Sequence, residues 1–311
     1  MTPPEDLNRV LARIAPWQGR TDLVTRPLSG GITNENVRVD VGDAEARHSF
    51  VLRLAGANTE LLGINRQHEH AAAKAAAAAG LAPEVVYFIE PEGYLLTRFI
   101  TGAPVPPEEM RQPETLRVIG SLLQRIHALP PIPGAFSPFR VVEDYRALAE
   151  AHGVTGWPED FAALLDQMRT VERAFQREAA FPCPCHNDLL NENFLRETGT
   201  GRIYVLDWEY AGMGDSYFDL ANFAAHHRLN DEQDVLLLQA YFGQVTPKRL
   251  ARLKLMKGMS DFREAMWGML QIGISTLDFD FRGYANTYFE RLRAGFNDPR
   301  VGEWLAVLNS A

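Results

Sequence analysis

The sequence predicts an α+β protein with two lobes, a small lobe of antiparallel β-sheet with one main helix and a larger, mostly helical lobe. Three observations support this prediction. The first hundred residues alternate short strand patterns with turn signals, and helical spacing dominates after a Gly- and Pro-containing stretch at 101–107. The 311 residues are also enough for two hydrophobic cores. We therefore predict lobes of residues 1–98 and 99–311, with 101–107 as a hinge or linker.

The first strand pattern is NVRVDV at 36–41, which places Val37, Val39 and Val41 on one face. A Gly-Asp turn leads into SFVLRLAG at 49–56. The two segments are therefore predicted to form a β-hairpin.

A second hairpin is predicted from EVVYFI (84–89) and GYLLTRFI (93–100), which a Pro-Glu-Gly turn joins. Between the hairpins, the alanine-rich segment 68–80 is predicted to be a helix that ends at Gly80.

The second lobe is predicted mainly from helical periodicity. One apolar stripe at helical spacing consists of Leu116, Ile119, Leu123, Ile126 and Leu129. Further helices are predicted at 158–177, 231–242, 247–273 and 284–295. FLRETGTGRIYVLDW (194–208) interrupts them and predicts two short strands around a Gly-rich turn.

Composition excludes several classes of protein. A net charge of −9 argues against a nucleic-acid groove, which needs clustered Lys and Arg. No apolar run approaches the roughly 18 residues of a membrane span, and the N-terminus lacks the apolar region of a signal peptide. Cys183 and Cys185 are too few for a disulfide framework or a four-ligand zinc site, so a reducing cytoplasm is the simplest setting. Nothing in the sequence predicts the oligomeric state.

The polar segment HNDLLNEN (186–193) carries the strongest indication of chemistry. It places Asp188 and Asn193 five residues apart, and Asp207 follows in YVLDWEY. Phosphoryl transfer from ATP needs a base for the attacking hydroxyl and oxygen ligands for Mg²⁺, which these three side chains can supply. Each residue alone could be a turn or cap residue, but their joint arrangement favours phosphoryl transfer.

HNDLLNEN followed by LDWEYAGMGDSYFDLANF resembles the choline/ethanolamine kinase branch of the aminoglycoside-phosphotransferase-like kinases. The match extends to the segments LSGGITNEN (28–36), FVLRL (50–54), INRQHE (64–69) and MWGMLQIGISTLDFDFRGYANTYFERL (266–292). The resemblance implies a protein-kinase-like fold, ATP and Mg²⁺ as cofactors, and a small amine-bearing alcohol as the acceptor.

The resemblance implies a role for each residue of the polar segment. Asp188 would be the catalytic base, and Asn193 and Asp207 would hold Mg²⁺. His186 would be structural, since no second histidine stands at ligand spacing to make it a metal ligand. Asp219, in YFDLANF, would be a buried residue that braces the catalytic loop.

The nucleotide is predicted to bind a glycine-containing loop of the first lobe. Glycines let the backbone approach phosphate closely, although Gly-Gly is also an ordinary turn and the loop lacks the lysine of a P-loop. The loop residues predicted to bind are Ser29, Gly30, Gly31, Thr33 and Asn34.

Arg53, in strand VLRL, is the predicted cation near the phosphates, with Glu69 as its partner. The resemblance implies Arg here where protein kinases use Lys, whereas the alternative is an outward-facing strand residue. Lys74 lies in the alanine-rich helix and is predicted to be solvated. LLTRF (95–99) matches the family's hinge, so Leu96 and Phe99 are predicted to lie at the adenine.

The predicted acceptor site lies on the helix that contains Glu264 and Trp267, which are three residues apart and can face one site. By resemblance, Trp267 occupies one position of the choline kinases' aromatic cage, with Phe281 and Tyr284 as another wall. The alternative is that these aromatic residues are ordinary core. Glu264 stands where eukaryotic choline kinases have a second tryptophan, which suits an amine that bears N–H groups better than choline.

Glu209, next to the Asp207–Trp208 pair, adds a negative charge that is predicted to lie near the metal or the amine. The sequence as a whole predicts a magnesium- and ATP-dependent kinase of a small amino alcohol such as choline or ethanolamine. The alternatives are an aminoglycoside, thiamine or other small-molecule kinase, and a non-catalytic kinase fold that only binds. A protein kinase is disfavoured because no DFG or APE triplet follows the catalytic loop in order.

Overall fold

The computed structural model describes residues 7–28, 34–42, 47–177 and 181–310. It divides into two compact units, Met1–Ala103 with Leu195–Glu209 and Pro104–Phe194 with Tyr210–Ala311. A five-stranded antiparallel sheet lies in the first unit, and the second is mostly helical. The predicted α+β class is therefore confirmed.

The sheet of the first unit has the strand order β1-β2-β3-β5-β4. Its strands are β1 (Leu23–Leu28), β2 (Asn34–Val41), β3 (His48–Ala55), β4 (Val85–Ile89) and β5 (Tyr94–Arg98). Both predicted hairpins are present, β2 with β3 and β4 with β5. As predicted, Val37, Val39 and Val41 point into one buried core, which they share with residues of β3, β5 and the N-terminal helix α1 (Leu7–Ala12).

The main helix of the first unit is α2 (Arg66–Ala78). It starts two residues before the predicted helix because the side chain of Asn65 caps it, accepting hydrogen bonds from the backbone N–H groups of Gln67 and His68. Gly80 follows with a φ of 67°, a left-handed conformation that favours glycine and ends the helix as predicted.

The segment 101–107, predicted to be a hinge or linker, contains a short strand, so this prediction is corrected. β6 (Gly102–Pro104) pairs with β8 (Phe194–Glu197), which in turn pairs with β9 (Ile203–Val205). Glycine is needed at 102, because a Cβ there would lie 2.2 Å from the carbonyl oxygen of Arg196. The strands β8 and β9 around a Gly-rich turn were predicted.

Backbone hydrogen bonds explain why 195–209 belongs to the first unit. The N–H of Thr198 donates to the carbonyl of Thr101, and that of Val205 donates to Leu81, both at 2.8 Å. The sequence predicts one division, after residue 98, whereas the first unit takes in this second segment from far along the chain.

The second unit is mainly helical. Its helices are α3 (Pro113–His127), α4 (Pro138–Ala151), α5 (Phe161–Gln176), α6 (Ser216–His226), α7 (Asp231–Phe242), α8 (Pro247–Ile274), α9 (Phe281–Phe296) and α10 (Val301–Asn309). The long helix α8 is buried along most of its length, and α4, α6 and α9 pack against it. All five residues of the predicted stripe are buried, four of them on α3 and Leu129 just after its end. Among the described residues, no helix is both long enough and apolar enough to cross a membrane.

Candidate functional site

The loop that carries Asp188 follows strand β7 (Cys183–Cys185), which pairs with β10 (Gly212–Gly214) in the second unit. Asp219 of α6 holds the loop's backbone. Its Oδ2 accepts from the N–H of His186 at 2.8 Å, and its Oδ1 accepts from the N–H of Asn187 at 2.7 Å. Asp219 is completely buried, as predicted for a bracing residue. Burial opposes its charge, but the contacts with His127 and the loop leave the pKa of Asp219 below its usual value.

His186 sets the shape of the same loop. Its side chain is fully buried, and its Nδ1 accepts from the backbone N–H of Asp188 at 3.2 Å. The next backbone N–H, that of Leu189, donates to Oδ1 of Asn222 at 2.6 Å. His186 therefore contacts the backbone of its own loop, which confirms the predicted structural role.

The two cysteines of β7 lie beside His127 of α3. Their Sγ atoms are 3.8 Å apart, and a ring nitrogen of His127 lies within 4.8 Å of both. Nδ1 of His127 is 2.6 Å from the hydroxyl of Tyr241, and its Nε2 is 3.1 Å from Oδ2 of Asp219. Because both ring nitrogens already have partners, we interpret this cluster as support for the loop brace.

Asn193 lies five residues after Asp188 and is buried against it. The side-chain Nδ2 of Asn193 donates to the backbone carbonyl of Asp188 at 2.8 Å. The amide nitrogen of Asn193 is therefore hydrogen-bonded within the loop. The amide oxygen is consequently the atom that could bind a cation, and the predicted metal role of Asn193 stays a prediction.

Arg263 of α8 connects Asp188 to Glu264. Its Nη1 lies 3.3 Å from Oδ1 of Asp188 and 2.5 Å from Oε1 of Glu264, and the guanidinium carbon is 4.3 Å from the ring centre of Tyr210. Arg263 is 2% exposed. Burial opposes its charge, but the two carboxylates raise the pKa of Arg263. The sequence did not single out Arg263, because nothing in the helical pattern marks an arginine as buried.

Three protein groups contact Glu264. Besides Arg263, Nε2 of His226 lies 3.4 Å from its Oε1, and the hydroxyl of Tyr284 donates to its Oε2 at 2.7 Å. Burial disfavours the charged carboxylate, but Arg263 and His226 lower the pKa of Glu264. Both oxygens of Glu264 thus have partners within the protein, and its predicted contact with the acceptor stays a prediction.

The predicted aromatic residues of the acceptor site lie together. The ring of Trp267 in α8 meets those of Phe281 and Tyr284 in α9 edge to face, with centres 5.8 and 5.3 Å apart. Gly268 permits this approach of the two helices, because a Cβ there would lie 3.0 Å from the ring of Tyr284. The structure therefore brings these three residues together, while their role in binding stays a prediction.

In the first unit, Arg53 of β3 pairs with Glu69 of α2, as predicted. The guanidinium of Arg53 also pairs with the carboxylate of Asp207, whose side chain is 32% exposed. Asp207 has a φ of 59°, a left-handed conformation that is uncommon outside glycine. Lys74 is exposed, in agreement with the predicted solvated side chain.

Arg66, which the sequence did not single out, organises the neighbouring polar groups. Its Nη1 donates to Glu69 at 2.7 Å and to Glu209 at 3.0 Å, while its Nη2 donates to Oδ1 of Asn34 at 2.9 Å. Asn34 in turn donates to Glu209 at 2.9 Å. Burial, together with the charge of Asp207, raises the pKa of Glu209. Glu209 is thus a buried partner of Arg66 and Asn34, and its predicted place near the metal or the amine stays a prediction.

Of the other residues predicted to bind the nucleotide, Leu96 and Phe99 lie in the described part of the chain. Leu96 is fully buried in β5, between Leu52 of β3 and Tyr87 of β4. The backbone N–H of Phe99 donates to the carbonyl of Ser49 at 3.0 Å, so this donor is already used. The adenine contacts of Leu96 and Phe99 stay predictions. The residues outside the described part of the chain are Ser29, Gly30, Gly31 and Thr33.

Three comparisons with known proteins agree on one family. The profile of the phosphotransferase enzyme family (APH) matches residues 24–253. Human ethanolamine kinase 2 is 26% identical over 310 residues, which cover 91% of this chain and 79% of the relative. A crystal structure of a choline/ethanolamine kinase family protein from Mesorhizobium loti is 31% identical with a TM-score of 0.81, covering 97% of each chain. Choline kinase LicA from Streptococcus pneumoniae, at 21% identity and a TM-score of 0.76 over 93% of this chain and 98% of that one, shares the fold. The chain therefore belongs to the phosphotransferase enzyme family, in its choline/ethanolamine kinase branch, and is a small-molecule kinase.

Proposed function

We propose that this chain is an ATP- and magnesium-dependent kinase that phosphorylates the hydroxyl of a small amino alcohol, with choline and ethanolamine as the leading candidates. One continuous set of contacts in the second unit carries this proposal. Asp188 contacts Arg263, Arg263 contacts Glu264, and Glu264 accepts from Tyr284, which packs on Trp267. A general base is thus linked to aromatic rings of the kind that attract an ammonium group.

In the proposed reaction, Asp188 orients the acceptor hydroxyl and takes its proton while the hydroxyl oxygen attacks the γ-phosphorus of ATP. The loop brace by Asp219 supports this role, because a base must be held in a fixed position relative to the attacking oxygen. The aromatic residues Trp267, Phe281 and Tyr284 are expected to surround the ammonium end of the acceptor.

Two residues fit the requirements of Mg²⁺, which prefers carboxylate and amide oxygens. Asp207 keeps a partly exposed carboxylate, and Asn193 uses its amide nitrogen within the loop and so leaves its amide oxygen for a cation. We propose Asp207 and Asn193 as the magnesium ligands. Bound magnesium would supply charge neutralisation at the phosphates.

In the first unit, Arg53 is the proposed phosphate-binding cation. Its pairing with Glu69 supports this role, because a carboxylate on the helix after the strand is the arrangement by which kinases orient such a cation.

The names of the relatives support an amino alcohol as the acceptor, since they include ethanolamine kinases and a choline kinase. The test is ADP release by the purified protein with ATP, Mg²⁺ and a panel of choline, ethanolamine, thiamine and kanamycin. We expect release with choline or ethanolamine, and the Asp188→Asn protein serves as the matched inactive control. Release with kanamycin or thiamine alone would replace the proposed acceptor, and no release with any acceptor would favour the non-catalytic alternative.

A further inference from the structure

We propose that Arg263 is a positioning residue for the base Asp188, and that Glu264 serves as the counter-ion of Arg263 and not as the partner of the acceptor's ammonium group. The inference rests on the proposed function in one respect, since it takes Asp188 to be the base. It changes the prediction from sequence, in which Glu264 binds the amine and Arg263 has no role.

The geometry of Arg263 is the first argument. One nitrogen, Nη1, lies within ion-pair distance of both Asp188 and Glu264. The guanidinium also lies over the ring of Tyr210, which restricts its plane. A cation that is 2% exposed needs anionic partners, because a buried charge without one is strongly destabilising. Arg263 therefore holds Asp188 at a defined distance from α8.

The bonding of Glu264 is the second argument. Its Oε1 faces Arg263 and His226, and its Oε2 accepts from Tyr284. The charge of this carboxylate is already balanced by Arg263, so it attracts an ammonium group less than an unpaired carboxylate would. Glu264 therefore fixes the position of Arg263 beside Asp188.

The charges of the network are the third argument. Asp188 and Glu264 carry two negative charges against one positive charge on Arg263, so the three groups together retain one negative charge. That charge favours a cationic acceptor without a direct bond to Glu264. Recognition of the cation would then depend on the rings of Trp267, Phe281 and Tyr284.

Single and double variants of Arg263 and Glu264 separate these roles. We expect Arg263→Gln to lower kcat by about tenfold or more and to leave KM for ATP unchanged, because a misplaced base slows the chemical step. Arg263→Lys keeps the charge but lacks the planar fork, so its kcat should fall between those of wild type and Arg263→Gln. Glu264→Gln should change KM for the acceptor by less than about threefold, since this side chain is proposed to contact Arg263 and not the acceptor.

The double variant Arg263→Gln with Glu264→Gln is the decisive one. Because it removes one charge of each sign, its melting temperature should lie closer to that of wild type than the melting temperature of Arg263→Gln does. Its kcat should nevertheless stay as low as that of Arg263→Gln. Arg252→Gln is the matched control, as Arg252 is a buried arginine of the same helix that pairs with Asp215 at 2.9 Å. It should lower the melting temperature without lowering kcat.

Hydrogen exchange of the peptide 185–193 gives a readout that does not need turnover. We expect faster exchange in Arg263→Gln and in the double variant, and no change in Arg252→Gln. Wild-type protein that is inactive with every amino alcohol would refute the proposed function, whereas this inference would still be decided by the exchange rates. Recovery of kcat in the double variant, unchanged exchange in Arg263→Gln, or a tenfold rise of the acceptor KM in Glu264→Gln would each overturn the inference.

Discussion

The guanidinium of Arg53 is paired with the carboxylate of Asp207, although the two residues are 154 positions apart in the sequence. Arg66 and Glu209 form a second such pair over 143 positions. Both pairs join a residue from the first seventy positions to the segment that follows β9. The polar cluster of the first unit thus depends on carboxylates from a distant part of the sequence.

Replacing Asp207 with alanine should abolish magnesium-dependent binding of the nucleotide, because this carboxylate is the proposed principal ligand of the ion. Calorimetric titration with ATP in the presence and absence of Mg²⁺ measures the effect. Lys74→Ala is the control, because Lys74 is exposed and should not alter affinity. An Asp207→Ala protein with wild-type affinity and wild-type magnesium dependence would remove Asp207 from the metal site.

Replacing Asp188 with asparagine should lower turnover by roughly 10²- to 10⁴-fold, the usual contribution of a general base. The variant keeps the shape of the side chain, so nucleotide affinity should remain near that of wild type. Steady-state kinetics together with the same calorimetric titration test both statements. Turnover within a few-fold of wild type would exclude Asp188 as the base.

Replacing Trp267 with alanine should weaken an ammonium-bearing acceptor by roughly thirtyfold, because a desolvated cation–π contact contributes about 2 kcal/mol. KM for ATP should not change. Trp157→Ala is the control, since the ring of Trp157 packs against that of Phe161 within the same unit and is not part of the proposed acceptor site. Equal acceptor KM values in wild type and Trp267→Ala would mean that the rings around Trp267 are core packing.

Replacing Asp219 with asparagine should lower the free energy of unfolding by about 3 kcal/mol, because a buried carboxylate loses charge-assisted bonds to two backbone N–H groups. It should also speed hydrogen exchange of the loop 185–193. Asp234→Asn is the control, as Asp234 is equally buried but pairs with Lys254 and Lys257. If both variants change the exchange of this loop equally, Asp219 has no specific bracing role.

Asp261 of α8 makes stability depend on pH. Burial raises the pKa of Asp261 to about 6 despite its contact with Arg291 at 2.6 Å. Between pH 4 and pH 6 the folded state therefore binds more protons than the unfolded state, and the free energy of unfolding falls as pH rises through this window. Asp261→Asn should remove this pH-dependent destabilisation, raising the free energy of unfolding by about 3 kcal/mol at pH 7.5 and by only about 1 kcal/mol at pH 4.5. Urea unfolding at both values tests it, and a stabilisation that is equal at both would contradict the predicted titration.

Periodicity predicted much of the fold, and its failures have physical causes. Alternation identified the hairpins because their strands have one buried face, as with Val37 and Val39. Strand β1 was missed because its residues are mostly exposed on both faces, so no alternation exists. Helix α6 was missed for the opposite reason, since residues 217–225 are all buried and leave no polar face.

Within the candidate site, residues that stand in motifs were predicted and those that depend on burial were not. Asp219 and the Arg53–Glu69 pair follow from recognisable segments. Arg263 and Arg66 do not, because a sequence does not show which of 31 basic residues is enclosed by the fold. Two partners of Glu264, His226 and Tyr284, likewise come from α6 and α9, which only the tertiary structure brings to α8.

The membership of 195–209 in the first unit has a consequence for how the protein is made. The ribosome delivers Arg53 and Arg66 long before Asp207 and Glu209, so the N-terminal unit cannot complete its ion pairs while it is the only part synthesised. Domains usually fold in turn from the N-terminus during translation. Here the N-terminal unit can be completed only after the strand pair β8–β9 is synthesised, which follows the helices α3, α4 and α5 in the sequence. An expression fragment that stops at residue 103 would lack this strand pair.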